Sequence, residues 1–132
     1  MPANILAAYR NWMPNIHVSG LDRAEALEFS RLVADVFARE FATAREHVYV
    51  FRREVEVLQD GEEVEPPVLI RLSWIRRAAG DFEAAAQALT AIVRGPLRRV
   101  ETNVQVELHE KWEDAVVDGV LCSDWAAANR GR

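Results

Sequence analysis

The sequence is poor in cysteine, in basic charge and in long apolar runs, and each shortage excludes a class of protein. A single cysteine, Cys122, cannot form an internal disulfide, so we expect a reducing, cytoplasmic setting. Because 21 acidic residues outnumber 16 basic ones, we expect no general electrostatic binding to nucleic acid. No run reaches the roughly 18 apolar residues of a membrane span, and residues 1–12 lack the features of a signal peptide. We therefore expect a soluble protein that binds no membrane.

The residues that are present alternate between strand and helix patterns. Half of the 132 residues are hydrophobic, which suits one globular domain. A short alternating strand at residues 15–18 ends at Gly20, and Asp22 followed by Glu25 predicts the capping box of a first helix. Its apolar side recurs at helical spacing and consists of Phe29, Leu32, Val33, Val36 and Phe37. We expect this helix to cover a sheet.

Residues 47–58 are rich in valine, tyrosine and phenylalanine, which is typical of a strand. Their alternation changes phase near Arg52 and Arg53, and a bulge or bend at that point would explain the change. Asp60 and Gly61 then form a turn signal. The pattern therefore predicts one bent strand followed by a turn.

The second half of the chain repeats the pattern. Residues 68–75 predict a strand, residues 80–95 a helix that begins at glycine and ends at glycine and proline, and residues 103–109 another strand. Right-handed crossovers would put both helices on the same face of one four-stranded sheet, which is an α/β fold. Two short apolar runs at residues 115–117 and 120–121 predict a late hairpin. Arg98 and Arg99 follow the second helix and suit the negative end of its dipole.

Met13 and Pro14 open the first strand of this doubled pattern, and with it they carry a resemblance to a known family. The chain resembles the tautomerase superfamily of 4-oxalocrotonate tautomerase and macrophage migration inhibitory factor, and looks closest to an uncharacterised bacterial branch. The resemblance implies two consecutive β-α-β units, a four-stranded mixed sheet with two helices on one face, and a homotrimer. It divides the chain into an extension at 1–12, a tautomerase-like domain at 13–121 and a tail at 122–132. No cofactor and no metal are expected.

The resemblance also implies a chemistry and a set of site residues. Such enzymes lose the methionine and use the freed proline amine as a base that moves a proton beside a carbonyl, as in keto-enol exchange of small carbonyl acids. Pro14 matches this base. Arg23 roughly matches, with a shift of one residue, an arginine near the first helix that would bind a carboxylate bidentately. Tyr49 falls where the short tautomerases place a second arginine, and Arg71 is a substitute on the strand face away from the apolar set.

Each of these residues also has an ordinary structural interpretation. Pro14 suits the start of a strand, where a missing N–H does no harm. Arg23 would be solvated in the first turn of its helix, and Arg71 would form an ion pair across the sheet. Two hypotheses therefore stay open. The chain is a tautomerase-like isomerase if Pro14 begins the mature protein, and a catalytically inactive oligomeric or partner-binding domain if Pro14 is internal.

The remaining residues with distinctive side chains predict no additional chemistry. His17, His47 and His109 fall on separate predicted strands without the spacing of metal ligands, so no metal site is expected. The tryptophans are better explained by core or subunit contacts than by stacking on bases, given the acidic balance of the chain. These tryptophans are Trp12, Trp74, Trp112 and Trp125.

Overall fold

The computed structural model describes residues 14–74, 80–110, 116–117 and 120–121. Its strands are β1 (Asn15–Ser19), β2 (Tyr49–Arg53), β3 (Val57–Gln59), β4 (Glu62–Val64), β5 (Val68–Trp74), β6 (Val104–Glu110), β7 (Val116–Val117) and β8 (Val120–Leu121). Its helices are α1 (Arg23–Glu40), α2 (Asp81–Arg94) and a short 3-10 helix (Arg45–His47). The described chain therefore consists of two strand-helix-strand units, each followed by a two-stranded hairpin.

Four strands form one mixed sheet in the order β2-β1-β5-β6. The outer pairs, β1 with β2 and β5 with β6, are parallel, whereas the central pair β1 and β5 is antiparallel. Ile16 on β1 registers with Val50 on β2 and with Leu72 on β5. The predicted α/β fold with a four-stranded mixed sheet is confirmed.

The core lies between this sheet and the two helices. From α1 it takes Ala26, Phe29, Val33 and Phe37, and from α2 it takes Ala85, Leu89, Ile92 and Val93. Trp74 at the end of β5 is fully buried, with ring centroids 5.0 Å from Phe37, 5.1 Å from Phe41 and 5.7 Å from Phe82. Because one apolar cluster includes residues of both helices, both cover the same face of the sheet, as the sequence predicts.

The start of α1 has the predicted capping box. The Asp22 side chain accepts a hydrogen bond from the Glu25 backbone N–H at 2.8 Å, and the Glu25 carboxylate accepts one from the Asp22 N–H at 3.0 Å. Two backbone donors that a helix start leaves without partners are thereby satisfied. The turn between β1 and α1 is consequently well defined.

The prediction of one bent strand at residues 47–58 is wrong. β2 ends at Arg53, residues 54–56 lie outside any strand, and β3 pairs with β4 in a separate hairpin. The reason is the partner strand, since β1 ends at Ser19 opposite Arg53 and offers nothing beyond it to pair with. The predicted turn is confirmed, with positive φ angles of 51° at Asp60 and 80° at Gly61.

The predicted late hairpin is also confirmed, because Val116 registers with Leu121 in an antiparallel pair. The residues expected to form its turn, 118–119, lie outside the described residues, as do the extension, Met13 and the tail at 122–132. Within the described part of the chain, no helix is long and apolar enough to cross a bilayer.

Candidate active site

Pro14 directly precedes β1 and is buried. Its carbonyl oxygen accepts a hydrogen bond from the Tyr49 backbone N–H at 3.3 Å, which ties it to the beginning of β2. On the other side, Asn15 registers with Ser73 near the end of β5. Pro14 therefore lies at one end of the sheet, at the start of β1 and between β2 and β5.

The sheet face away from the helices, here called the open face, carries the residues that alternate with the core positions. They are Asn15, His17, Ser19, Tyr49, Phe51, Arg53, Leu69, Arg71, Ser73, Gln105, Glu107 and His109. Polar and aromatic side chains predominate on this face, and several of them lie in register with one another. The open face is thus where the described chain offers polar groups near the start of β1.

One row of the open face lies next to Pro14. Asn15 registers with Tyr49 on one side and Ser73 on the other, and Ser73 registers with His109 on β6. The structure therefore brings the predicted Tyr49 close to Pro14. It adds Asn15, Ser73 and His109, which sequence reasoning missed as site residues because each reads as an ordinary polar position in a strand.

Arg71 occupies the middle row of the open face, in register with His17 and Glu107. Its Nε lies 3.4 Å from Glu107 Oε2 in an ion pair whose side chains are 56% and 62% exposed. The same Glu107 oxygen is 3.6 Å from His109 Nε2. Since Pro14 is three residues from His17, Arg71 lies about 10 Å from Pro14 along the sheet.

Arg23 lies at the other end of β1. It is the first residue of α1, it is exposed, and it forms no ion pair with any described residue. Five residues of extended chain separate Pro14 from Ser19, which corresponds to about 16 Å. Pro14 and Arg23 of one chain are therefore not brought together.

The end of the sheet near Arg23 contains two arginines that sequence reasoning did not select. The Arg52 Nε donates to the Leu21 carbonyl at 2.9 Å. Arg99 also binds the turn between β1 and α1, although its position after α2 predicts a role at the end of α2. Arg94 is the residue that binds at the end of α2, where its Nη1 donates to the carbonyls of Arg99 at 3.2 Å and Val100 at 2.6 Å. The long sequence separation explains why the contacts of Arg99 leave no local signal.

The described residues contain no group of three histidine, cysteine, aspartate or glutamate side chains that would hold a metal ion. His17 and His109 lie on the open face in different rows, and His47 lies at the end of the 3-10 helix. The polar groups in the row next to Pro14 are the Asn15 amide and the hydroxyl groups of Tyr49 and Ser73.

Comparison with solved structures identifies the fold. No protein-family model matches the chain, and no curated protein matches it. A domain of unknown function, DUF1904, from Sebaldella termitidis has a TM-score of 0.68 at 21% identity, covering 83% of this chain and 99% of that one. A fused 4-OT symmetric trimer has a TM-score of 0.65 at 21% identity, with coverage of 88% and 98%.

A third similar structure is N1, a member of the cis-3-chloroacrylic acid dehalogenase family. Its TM-score is 0.60 at 19% identity, and the match covers 87% of this chain and 92% of that one. The chain has the fold of these solved structures, the tautomerase fold. The fold expected from Met13, Pro14 and the doubled strand-helix-strand pattern is therefore confirmed.

Proposed function

We propose that this chain is a tautomerase-like isomerase that moves a proton on small carbonyl acids, with Pro14 as its base. The observation that carries the proposal is the position of Pro14, buried at the start of β1 in a tautomerase fold. The proposal requires Pro14 to be the first residue of the mature chain, since a secondary amine takes and returns a proton whereas an amide does not. Translation from Met13 and removal of that methionine would supply the amine.

In this mechanism the amine removes a proton from the carbon beside the carbonyl, and negative charge develops on the carbonyl oxygen. That charge needs a hydrogen-bond donor or a cation near it. Arg71 supplies the cation, because its exposed ion pair with Glu107 is weak enough to be exchanged for the developing oxyanion. Tyr49, on the strand next to Pro14, contacts the bound substrate.

Arg23 contributes only if a second chain brings it to Pro14, because the two residues of one chain lie at opposite ends of β1. We therefore include a homotrimer in the proposal. The solved fused 4-OT structures are described as trimers, which supports it. Exposed apolar side chains on the open face also support it, with Tyr49 46%, Phe51 45% and Leu69 39% exposed.

The start of the mature chain is tested on protein purified from its native host by intact mass and N-terminal sequencing. Activity is tested by the enol-keto conversion of phenylpyruvate, comparing a chain that begins with Pro14 with the same chain carrying Pro14→Ala. We expect the alanine variant to lose at least about a hundredfold in kcat/KM, which is the lower range for removal of a general base. Equal rates would exclude Pro14 from the mechanism.

The alternative is a catalytically inactive domain that keeps the fold and uses the open face for self-association or for binding a partner. The exposed Tyr49, Phe51 and Leu69 side chains favour this function as well. The two functions are distinguished by the first residue of the native mature chain and by the activity assay. A mature chain in which Pro14 is internal, with no activity on carbonyl acids and an intact oligomer, would support the alternative.

A further inference from the structure

Arg99 connects three segments that are distant in sequence. Its side chain is only 19% exposed, and its Nη1 donates to the Glu65 carboxylate at 2.8 Å. Its Nη2 donates to the carbonyl oxygen of Gly20. Its Nε lies 3.1 Å from Glu25 Oε2 without pointing at it, so this contact is an ion pair rather than a hydrogen bond. A guanidinium with its donors in a rigid fork is suited to hold such a set of acceptors.

The acceptors at Gly20 and Glu25 are the two ends of the segment 20–25, here called the turn, which joins β1 to α1 and includes the first three residues of the helix. Glu25 is also the third helical residue, and its carboxylate closes the capping box on the Asp22 N–H. The Glu25 carboxylate therefore accepts the hydrogen bond of the capping box and also forms the ion pair with Arg99. Because two ends of a six-residue turn are held by one side chain, the path of the backbone between them is restricted.

Arg23 is carried on this same turn. Its side chain is exposed and has no ion-pair partner among the described residues, in contrast to Arg52 and Arg99. Arg52 also donates to the turn, at the Leu21 carbonyl. Two arginines thus hold consecutive carbonyls of the turn, while a third on the same turn, Arg23, is exposed and forms no ion pair with any described residue.

We propose that Arg99 is a positioning residue for Arg23, fixing the turn so that the Arg23 guanidinium is presented in one orientation to the carboxylate of a bound acid. This inference rests on the proposed function, because it gives Arg23 the role of binding substrate carboxylate. The energetic reason is pre-organisation, since an arginine whose backbone is already fixed loses less conformational entropy when it binds a carboxylate.

The positioning is tested first without any assay of activity. Amide hydrogen exchange is measured on the full chain for the residues of the turn, in wild type, Arg99→Gln and Arg99→Lys. Arg45→Gln is the matched control, because Arg45 pairs with Asp35 in the second half of α1 and contacts neither the turn nor Arg99. We expect the Asp22 and Glu25 amides to exchange at least about tenfold faster in Arg99→Gln, since that factor corresponds to one charge-assisted contact and the variant loses those to Gly20 and Glu25. Arg99→Lys restores part of the protection.

A further variant keeps the test decisive if Arg99→Gln does not fold. Glu25→Gln retains a side-chain acceptor for the capping box but removes the negative charge that faces Arg99. It should accelerate exchange in the turn while α1 stays folded. Unchanged exchange in these variants, or an equal acceleration in Arg45→Gln, would overturn the proposal.

The consequence for substrate is tested on a chain that begins with Pro14. In Arg99→Gln we expect KM for phenylpyruvate to rise about tenfold with kcat changed less than about twofold, because binding is affected and proton transfer is not. A purely structural role would lower both kcat and the active fraction, and Arg99→Lys would not rescue KM. If no variant and no wild type turns over the acid, the proposed function fails, while the exchange measurement still decides whether Arg99 positions the turn.

Discussion

A Cβ atom placed on Gly20 would lie 2.2 Å from the carbonyl oxygen of Pro67. The two residues come from different β-α-β units, since Gly20 follows β1 and Pro67 precedes β5. Because β1 and β5 are antiparallel, with Ser19 opposite Leu69, the end of the first strand lies beside the beginning of the other. This backbone contact is where the turn that carries Arg23 packs against the second unit.

Substitution of Gly20 should therefore be strongly destabilising. Gly20 has a φ of +89°, so Gly20→Ala would add backbone strain to the clash with a backbone oxygen, and we expect a loss of at least about 2 kcal/mol in the free energy of unfolding. Gly61→Ala is the control, because Gly61 has a φ of +80° with nothing within 4 Å of the added Cβ. It should cost about 1 kcal/mol. Urea denaturation measures both, and equal losses would contradict the importance of the contact.

Ala42 offers a substitution that should stabilise the protein. It follows α1 and has a φ of 51°, in the region where a Cβ is unfavourable. Ala42→Gly should raise the free energy of unfolding by about 0.5 kcal/mol, because relief of the strain exceeds the added entropy of the unfolded chain. Ala44→Gly, at a φ of −60°, should lower it. A lower thermal midpoint for Ala42→Gly than for wild type would contradict this expectation.

The hydrogen bond between Arg45 and Asp35 predicts a pH dependence of the stability of the protein. The hydrogen bond from Arg45 holds the pKa of the Asp35 carboxyl below its ordinary value of 3.8, with a smaller contribution from nearby positive charge. Since the folded pKa is the lower one, the stabilisation is present above the unfolded pKa and is lost as pH falls through the folded pKa. Asp35→Asn should therefore lower the urea midpoint at pH 7 and lower it by less at the most acidic pH at which the proteins stay folded, because falling pH protonates the wild-type carboxylate.

The control for this prediction is Asp60→Asn, at the tip of the β3–β4 hairpin. Asp60 forms no ion pair with any described residue, and asparagine tolerates its positive φ. Its urea midpoint should follow that of wild type at both pH values. A difference between wild type and Asp35→Asn that persists unchanged at low pH would show that the ionised carboxylate is not its source.

The elements that sequence reasoning predicted correctly are those whose signals are local. Asp22 and Glu25 are three residues apart, and the apolar positions of α1 recur within two turns, so each pattern is complete within one element. The alternation of Val68, Ile70, Leu72 and Trp74 likewise reports a strand with one buried face. The end of β2 was predicted wrongly because it depends on where its partner β1 ends.

How much of the candidate site the sequence predicts also depends on whether the signal is local. Pro14 and Tyr49 were selected by resemblance, and their proximity follows from the parallel register of β1 and β2, which no local pattern specifies. The separation of Pro14 from Arg23 follows from the length of β1. The contacts of Arg99 with Gly20 join residues 79 positions apart, so they become visible only when the packing of the two units is known.

The open face provides the test of self-association. Phe51 is 45% exposed and stacks on His17 with ring centroids 4.8 Å apart and planes 16° from parallel. If copies of the chain pack through this face, Phe51→Glu places a charge in every copy of an apolar contact, which is costly when it is desolvated. We expect the mass measured by size-exclusion chromatography with light scattering to fall from that of a trimer to that of a monomer.

Leu27→Glu is the matched control for this substitution. Leu27 is 58% exposed on α1, which lies on the other side of the sheet, so the same change of charge there should leave the mass unaltered. Both variants must retain the circular dichroism of wild type for the comparison to hold. A wild-type chain that is monomeric at all concentrations, or a Phe51→Glu variant that keeps the wild-type mass, would contradict association through the open face and with it the delivery of Arg23 from a second subunit.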